Sequence, residues 1–514
     1  MTGNNGTCGF VSRIKSLGEK WREIRVVALW GMVLATLAIG WHVHVLAGNT
    51  LPLPWDDEVA FFWPAVHWAQ ENTLLAPELN PDRALQWMPP GMMVVLGTAF
   101  KLLPIRLGVA RWISWAMLAT GYVCCICWIG RLKRGLLAGV LLSLFFLNGA
   151  FTAAGNIARM DAWIWGISGL AFAILHSSKT GWQRRLAWTL LGCSPLVHPN
   201  GLYFLFAAGL AETGCRIVAK WDSSGSEENK TKGGCRRELP WIVLVIVVWM
   251  AYGVFVKRNW MYFVEDMAWQ FSSNMNIHTR DGFQLPHWAL ACLIGYLLWG
   301  VYALLRNPRT LWLIGWGGAN LTAYVIRREM WYEIFWQTGW LWLVVLGFQL
   351  EIPLRGKWKK VASVLASCLL FGWAGGYFLK HGFIEGPRGY FQELSWGWGM
   401  KLENEGAYIT SEDVACLKAQ LEQAAHDAGR PIRVEFYPSG DQLLVMKCFN
   451  DWIRPFCPIF TNQKADCTVV HVSRYRPSWL DVRGKIPAGS IPFYARDDSE
   501  QWYFSWEQPT RISP

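Results

Sequence analysis

Three consecutive carboxylates stand shortly after a long apolar run near the start of the chain. They are Asp56, Asp57 and Glu58, and the apolar run covers residues 26–46. Neighbouring carboxylates repel one another, which raises carboxyl pKa values and suits a general base or a metal ligand. A solvated loop is the alternative explanation of the same three residues.

Two further motifs follow in a fixed order. Pro89-Pro90 precedes a short apolar segment, and Arg159 and Asp161 precede a later apolar run. Between them lies a compact basic turn at residues 131–134. A double proline alone is typical of a helix start, and Arg-x-Asp alone is typical of a local ion pair. The order of the motifs is therefore more informative than any one of them.

The elements that must position these residues are predicted by composition. The 514 residues are 53% hydrophobic and 17% charged, against about 25% charged residues in soluble domains. Apolar runs near 20 residues indicate membrane-spanning helices, because lipid offers the backbone no hydrogen-bond partners. The candidates are 26–46, 107–130, 135–155, 162–177, 239–256, 285–305, 310–326, 334–352 and 361–379.

Charge sets the orientation of these runs. Lys and Arg exceed Asp and Glu by 11, and residues 380–514 hold 15 basic and 17 acidic side chains, so the excess lies in the first 379 residues. Basic clusters between apolar runs are typical of cytoplasmic loops, which explains the charge without nucleic acid as a partner. The N-terminus at 1–25 is then cytoplasmic, and residues 47–106, the turn near 155–161 and residues 257–284 face outward.

Three apolar segments leave alternatives open. Residues 92–105 are short enough to favour an interfacial or re-entrant helix over a crossing. Residues 186–211 contain Pro195 and Pro199, which favours a broken two-helix hairpin, with a kinked single crossing as the alternative. The hairpin gives about 11 crossings in all. The first run can also be a signal peptide, although its length favours an uncleaved helix.

The tail at 380–514 is predicted to be a soluble, periplasmic α/β accessory domain. Ser411 to Gly429 has the pattern of a capped amphipathic helix with a glycine stop, and residues 432–436 and 468–472 alternate like strands. Four cysteines, at positions 416, 448, 457 and 467, lie in a compartment that permits disulfides. Their spacing leaves three pairings open.

The order of motifs in residues 26–210 resembles that of membrane glycosyltransferases that use lipid-phosphate-linked sugars. This superfamily includes the protein O-mannosyltransferases and the aminoarabinose lipid A transferases. The matching features are Asp57-Glu58 with aromatic residues after them, Pro89-Pro90, the basic turn, and Arg159 with Asp161. Asp56 is an additional acid, and Gly91 stands where members usually have a bulky residue.

The resemblance implies a C-type glycosyltransferase fold over residues 26–379, with the first periplasmic loop at 47–106 carrying interfacial helices. It implies transfer of a hexose or pentose from a polyprenyl-phosphate-linked donor to a glycan, lipid or protein acceptor. Asp57 would be the general base, Glu58 and Asp56 would orient it, and Asp161 would position the acceptor. The leaving phosphate needs cationic partners. The candidates are Arg159, Arg327, Arg328, Lys257, Arg258, Lys101 and, more weakly, His198.

A divalent metal, Mg or Mn, is open at this point, and Asp57 and Asp161 would be its ligands. The expected location is a bacterial inner membrane, with membrane lipid as a partner. The alternative function is a transporter or flippase of a lipid-linked saccharide. That class carries ionisable residues inside its spans, whereas the acids here lie at exterior ends. A scaffold that displays the tail is a third interpretation.

Overall fold

The computed structural model describes the helical part of the chain and much of the tail. The described residues are 26–42, 44–45, 56–74, 89–129, 135–147, 155, 157–178, 180–222, 310–327, 411–430, 432–437, 456–458, 465–473, 482–496 and 500–506, with isolated positions at 243, 247, 250, 294, 298, 361 and 372. The predicted crossings at 334–352 and 361–379, and most of those at 239–256 and 285–305, lie outside these ranges.

Nine helices precede the tail within the described ranges. They are α1 (Val26–His42), α2 (Asp56–Glu71), α3 (Gly91–Phe100), α4 (Leu107–Ile129), α5 (Gly135–Phe146), α6 (Met160–Ser177), α7 (Gly181–Val197), α8 (Gly201–Asp222) and α9 (Thr310–Arg327). Four of the predicted crossings therefore appear as helices with bounds close to the predicted ones, namely α1, α4, α6 and α9. The predicted run at 135–155 appears as α5, which is described only to Phe146.

One described helix, Gly108–Ile129, is long and apolar enough to cross a membrane by these two criteria alone. Other helices carry exposed apolar stripes. Leu202, Phe206 and Leu210 are more than 49% exposed on α8, at a spacing of four residues. Side chains four residues apart lie on one helix face, so this stripe points away from the bundle. The count of 11 crossings stays a prediction.

Two helices lie in the segment that is predicted to be the first outward loop. α3 has 10 residues, about 15 Å at 1.5 Å per residue, which is too short to cross about 30 Å of hydrocarbon. In α2, Phe61 to His67 are all buried, and the position of this helix in the membrane interface stays a prediction. A Cβ on Gly97 would lie 2.5 Å from the Ala65 carbonyl oxygen. Glycine therefore lets α3 lie directly on α2.

The segment at 186–211 is a two-helix hairpin, as predicted. α7 ends at Val197, α8 begins at Gly201, and the two helices pack together. Near the other end of the hairpin, Arg184 donates to the Glu212 carboxylate at 2.7 Å, and Arg216 donates to the same carboxylate at 2.8 Å. Because Arg184 begins α7 and Glu212 lies well along α8, the helices run antiparallel. The kinked single helix is thereby excluded.

The described part of the tail contains one α-helix, a short 3-10 helix at Arg483–Lys485 and a five-stranded sheet. The elements are α10 (Ser411–Ala428), β1 (Ile432–Tyr437), β2 (Phe456–Pro458), β3 (Cys467–Ser473), β4 (Tyr494–Arg496) and β5 (Glu500–Trp506). The strand order is β2-β1-β3-β5-β4, parallel in the first three strands and antiparallel at β3-β5 and β4-β5.

The core of this unit lies between α10 and the sheet. Leu417 and Leu421 pack with Ile432, Val434 and Phe436, which alternate along β1. Gly429 has φ +62°, a conformation that favours glycine and ends the helix as predicted.

The cysteine prediction needs a correction. Neither Cys416 nor Cys467 forms a disulfide. Each of the three pairings considered from the sequence contains a disulfide to each of these residues, so none of the three is present in the structure. Cys467 is fully buried in the core between α10 and the sheet, and Cys416 is half-buried on α10.

Candidate active site at one end of the helical bundle

The three consecutive acids form the first turn of α2. Asp56 is its first residue, followed by Asp57 and Glu58. The amino end of a helix carries a partial positive charge, which stabilises carboxylates placed there. Helix geometry thus gives a local reason for three acids at this point. Their side chains lie outside the described residues, so the base assignment to Asp57 stays a prediction.

Arg159 and Asp161 form a buried ion pair at the start of α6. The Nε of Arg159 donates to the Oδ2 of Asp161 at 3.0 Å, and the side chains are 7% and 3% exposed. The other carboxylate oxygen, Oδ1, is buried and has no hydrogen-bond partner among the described residues. Leaving a buried acceptor unpaired costs roughly 1–3 kcal/mol. Such a group is expected where a substrate completes the hydrogen bond.

Arg111 on α4 lies at the level of this pair. Trp163 of α6 donates to Ser114 of α4 at 2.9 Å, and further along both helices Gly121 lies against Gly166. Later residues of α4 contact later residues of α6, so the two helices run parallel. Arg111, one turn before Ser114, is then level with the start of α6, and its side chain is 1% exposed. A second buried guanidinium therefore lies at the same end of the bundle.

The hinge between α7 and α8 lies at this end too. Asp161 is 16 residues before the end of α6, and Val197 is 16 residues after the start of α7. The two helices are joined by a short connection and pack together, so both positions lie about 24 Å from that connection at 1.5 Å per residue. The hinge residues after Val197 are therefore level with Asp161.

The hinge itself is polar and buried. His198 is fully buried, and Asn200 is 3% exposed. The backbone N–H of Asn200 donates to the His198 Nδ1 at 3.0 Å, so the neutral imidazole carries its proton on Nε2. The Nδ2 of Asn200 is buried and has no hydrogen-bond partner among the described residues. The hinge thus supplies a second unsatisfied polar atom to this end of the bundle.

Gly91 joins the double-proline motif to the hinge. A Cβ at this position would lie 2.7 Å from the Leu196 carbonyl oxygen and 3.2 Å from the Val197 side chain. A larger residue would push the start of α3 away from the end of α7. The departure from the bulky residue usual in the superfamily is therefore explained by a close helix contact.

The C-terminal end of α9 reaches the same region. Gly214 of α8 lies against Leu311, and Gly315 lies against the Ala207 carbonyl oxygen. Earlier residues of α8 contact later residues of α9, so the two helices run antiparallel. Arg327, the last residue of α9, then lies about one turn beyond the start of α8 at Gly201, toward the hinge. Its side chain lies outside the described residues.

Lys101 has a local partner instead. Its ammonium donates to the Asn72 Oδ1 and lies 5.4 Å from the Trp68 ring centre. Asn72 ends α2 with φ +56°, a conformation that asparagine tolerates better than most residues. Lys101 is therefore placed at the negative end of the α2 dipole. This contact gives the lysine a structural role without a phosphate.

Some predicted site residues are not placed by the structure. Arg328, Lys257 and Arg258 lie outside the described ranges. Within those ranges no three His, Cys, Asp or Glu side chains come together as a metal site, and Asp161 is paired with Arg159. The donors described so far do not fit a divalent cation, and a metal at Asp57 and Asp161 stays a sequence prediction.

The arrangement gathers two buried guanidinium groups, a carboxylate, an imidazole and an amide at one end of an apolar bundle. Cations in a water-poor site suit a developing phosphate charge, and the unsatisfied polar atoms suit hydroxyl groups. Arg111 and Asn200 are absent from the sequence-derived site. A lone arginine in the apolar run at 107–130 was a usable signal for Arg111, whereas no local pattern distinguishes Asn200.

Comparison with solved structures agrees with this architecture. ArnT from Cupriavidus metallidurans bound to undecaprenyl phosphate aligns with a TM-score of 0.50 at 14% identity, covering 92% of this chain and 98% of that chain. The same protein in the apo state aligns with a TM-score of 0.49 at 15% identity over the same shares of the two chains.

The archaeal oligosaccharyltransferase AglB from Archaeoglobus fulgidus, in complex with an inhibitory peptide and a dolichol-phosphate, aligns with a TM-score of 0.45 at 10% identity. That alignment covers 84% of this chain and 64% of AglB. No protein-family model matches the sequence, and no curated protein matches it significantly. The alignment with the ArnT complex shows the fold. This chain has the C-type fold of membrane glycosyltransferases, as the motif order predicted.

Proposed function

We propose that the chain is an integral-membrane glycosyltransferase that moves a sugar from a polyprenyl-phosphate-linked donor to an acceptor on the periplasmic face. The observation that carries the proposal is the convergence of Arg111, the Arg159–Asp161 pair and the His198–Asn200 hinge at one end of a bundle with this fold. The donor carries one phosphate, and buried arginines suit that charge.

The proposed step is a displacement at the anomeric carbon. Asp57 takes the proton of the acceptor hydroxyl, the acceptor oxygen forms a bond to the anomeric carbon, and the bond from that carbon to the phosphate oxygen breaks. The electron pair leaves with the polyprenyl phosphate, whose charge becomes more negative. General-base assistance of this kind contributes about 10²–10⁴-fold.

The arginines act on the leaving group. As the carbon–oxygen bond breaks, negative charge grows on the phosphate, so a preorganised guanidinium binds the transition state more tightly than the ground state. Arg111 and Arg159 lie at the level where α4 and α6 begin, and Arg327 ends α9 near the hinge. We assign the phosphate to this group of helix ends. Arg328, Lys257 and Arg258 stay candidates from the sequence.

The alternative of a transporter or flippase needs ionisable groups deep in the spans. Arg111 is the buried arginine to consider, and it lies four residues after the start of α4, about 6 Å along the helix axis. That position places it at a helix end beside the other polar groups. It favours interfacial chemistry over coupling of a charge through the bundle.

The test uses the full chain in lipid nanodiscs with a panel of undecaprenyl-phosphate sugars and candidate acceptors. We expect wild type to form a covalent glycosylated product with at least one pair, and Asp57→Asn to lose transfer about 10²-fold or more while still binding donor. The matched control is Glu71→Gln, at the other end of α2, where the carboxylate is exposed and pairs with His67.

Two results would overturn the proposal. Full transfer by Asp57→Asn would remove the base from its assigned position. Movement of a labelled donor across the bilayer by wild type, with no covalent product from any pair, would favour the flippase.

A further inference from the structure

Two unsatisfied polar atoms at the bundle end are complementary. The Asp161 Oδ1 is an acceptor and the Asn200 Nδ2 is a donor, and both are buried with no hydrogen-bond partner among the described residues. Asp161 and Asn200 are 2% and 3% exposed. Nearly all buried polar atoms in proteins are paired. Two opposite, unpaired atoms at one level of a bundle indicate a shared missing partner.

A hydroxyl group is the chemistry that fits both atoms. Its O–H donates to one acceptor while its oxygen accepts from one donor. A carboxylate or phosphate oxygen would satisfy the amide of Asn200 but repel the carboxylate of Asp161. An ammonium would satisfy Asp161 but offer nothing to the amide. A hydroxyl group is neutral and satisfies both at once.

The surrounding residues keep the two atoms fixed. Asp161 is held through its other oxygen by Arg159 at 3.0 Å. Asn200 is held by its backbone, which donates to the His198 ring at 3.0 Å and accepts from Tyr203 at 3.0 Å. Gly201, next in the chain, lies so close to Ser194 that a Cβ would meet its carbonyl carbon at 2.4 Å. A preorganised pair of this kind selects a ligand by its hydrogen bonds.

We propose that Asn200 and Asp161 together hold one sugar hydroxyl, which donates to the Asp161 Oδ1 and accepts from the Asn200 Nδ2. Asn200 is then a specificity-determining residue that discriminates between sugars by the presence of that hydroxyl. The inference rests on the proposed function. The hydroxyl belongs either to the donor sugar or to the acceptor, and the two sources give different results in the experiment below.

The experiment compares wild type with Asn200→Leu, which keeps the side-chain size and removes the amide. The probes are undecaprenyl phosphate without a sugar, an undecaprenyl-phosphate hexose that wild type uses, and its single-deoxy analogues. We expect Asn200→Leu to weaken hexose-donor binding roughly 10- to 100-fold, the effect of one lost hydrogen bond to a buried polar group. Binding of the carrier without a sugar should change less than about 2-fold.

The deoxy analogues identify the hydroxyl. One analogue should bind wild type and Asn200→Leu with equal affinity, because the interaction is already absent. If donor binding is unchanged but the acceptor KM rises 10- to 100-fold in Asn200→Leu, the hydroxyl belongs to the acceptor. Asn200→Asp, which places a carboxylate opposite Asp161, is the second variant and should reject the same sugar even where Asn200→Leu folds poorly.

Asn320→Leu is the matched control. Asn320 is a fully buried asparagine in the middle of α9 whose Nδ2, unlike that of Asn200, donates to a backbone carbonyl oxygen, that of Trp316, while its Oδ1 has no partner among the described residues. Its loss should leave the preference between hexose and deoxy donors unchanged.

Three outcomes would overturn the inference. Equal weakening of the sugar-linked carrier and the bare carrier by Asn200→Leu would show a structural role at the hinge. No change in either substrate would show that the two atoms bind only water. Failure of wild type to bind carrier or transfer sugar would overturn the proposed function and this inference together, whereas transfer by wild type with an unaffected Asn200→Leu overturns the inference alone.

Discussion

Two Arg–Asp pairs, one in each part of the chain, differ in almost every physical respect. Arg430 and Asp466 form two parallel hydrogen bonds of 2.9 and 2.8 Å in the tail, with 56% and 21% of the side chains exposed. The Asp466 carboxylate accepts a third bond from the backbone N–H of Arg433 at 2.8 Å. In the bundle, Arg159 makes one bond to a carboxylate that is 3% exposed and keeps an unpaired oxygen.

The difference indicates a structural role for the pair in the tail and a functional role for the pair in the bundle. In the tail pair both oxygens of the Asp466 carboxylate accept hydrogen bonds. The pair holds together the end of α10, the start of β1 and the start of β3, and we call it the structural clamp. The bundle pair is buried, which costs desolvation free energy, and one oxygen of its carboxylate has no hydrogen-bond partner among the described residues. A protein tolerates an incomplete buried pair where a substrate completes it. We therefore expect replacement by asparagine to lower sugar transfer at Asp161 and to lower only the stability of the tail at Asp466.

The largest expected effect is that of Asp161→Asn. The substitution removes the negative charge that Asp161 places against the Arg159 guanidinium, and with it the charged acceptor at the bundle end. We expect kcat/KM for sugar transfer to fall by about 10²–10³-fold, the loss found when one preorganised electrostatic group is removed from a site. Transfer by purified protein in nanodiscs measures this.

Asp466→Asn is the matched control for that variant. It should change transfer less than about 2-fold and lower the melting temperature of the tail by roughly 2–4 °C, as expected for an exposed ion pair in a small domain. Equal loss of activity in the two variants would contradict the distinction between a structural pair and a functional pair.

Several helices of the bundle could be predicted because long apolar runs are a simple pattern to detect. The run at 107–130 appears as α4 from Leu107 to Ile129, and the proline-interrupted run at 186–211 appears as a hairpin. Burial of α2 could not be predicted from its own sequence, since Phe61 to His67 are covered by other helices rather than by an amphipathic face. Local periodicity describes a helix but not the number of its neighbours.

The tail shows the same limit in a sheet. The helix at Ser411–Ala428 and strands β1 and β3 were predicted, because each has an alternating or helical pattern long enough to detect. β2 and β4 were missed, since three residues carry no usable periodicity. β5 was missed despite alternating Trp502, Phe504 and Trp506.

The sequence predicted the Arg159–Asp161 motif, the hairpin and His198 at its hinge, but not Asn200; the roles assigned to these residues stay predictions. Arg159 and Asp161 were found as a motif, and their contact confirms the ion pair. Asn200 was missed because its burial depends on how the hinge of α7 and α8 packs against neighbouring helices. A residue that becomes part of a site only through the packing of distant segments has no recognisable pattern in its own segment. The helices at the bundle end could therefore be predicted, whereas Asn200 could not.

A smaller effect is expected at the contact that brings α3 to the hinge. Gly91→Ala places a methyl group 2.7 Å from the Leu196 carbonyl oxygen, so one helix end must shift by several tenths of an ångström. We expect transfer to fall roughly 10-fold, because misplaced site groups lose activity steeply. Gly209→Ala on α8, which has open space around the position, should have no effect on transfer. Unchanged transfer by Gly91→Ala would show that the start of α3 does not position the hinge.

The smallest effect concerns pH and is confined to the tail pair. Hydrogen bonds from the Arg430 guanidinium hold the pKa of Asp466 below its ordinary value. A carboxyl whose pKa is lower in the folded state contributes stability above its unfolded pKa of about 3.9, and this contribution is lost as pH falls through the folded pKa. We compare wild type with Asp466→Asn by hydrogen exchange of residues 466–473. The ratio of exchange rates should keep its neutral-pH value down to about pH 4 and approach 1 only as the pH falls further, through the folded pKa of Asp466. A ratio that stays constant through that further fall would show that the clamp does not depend on the Asp466 charge.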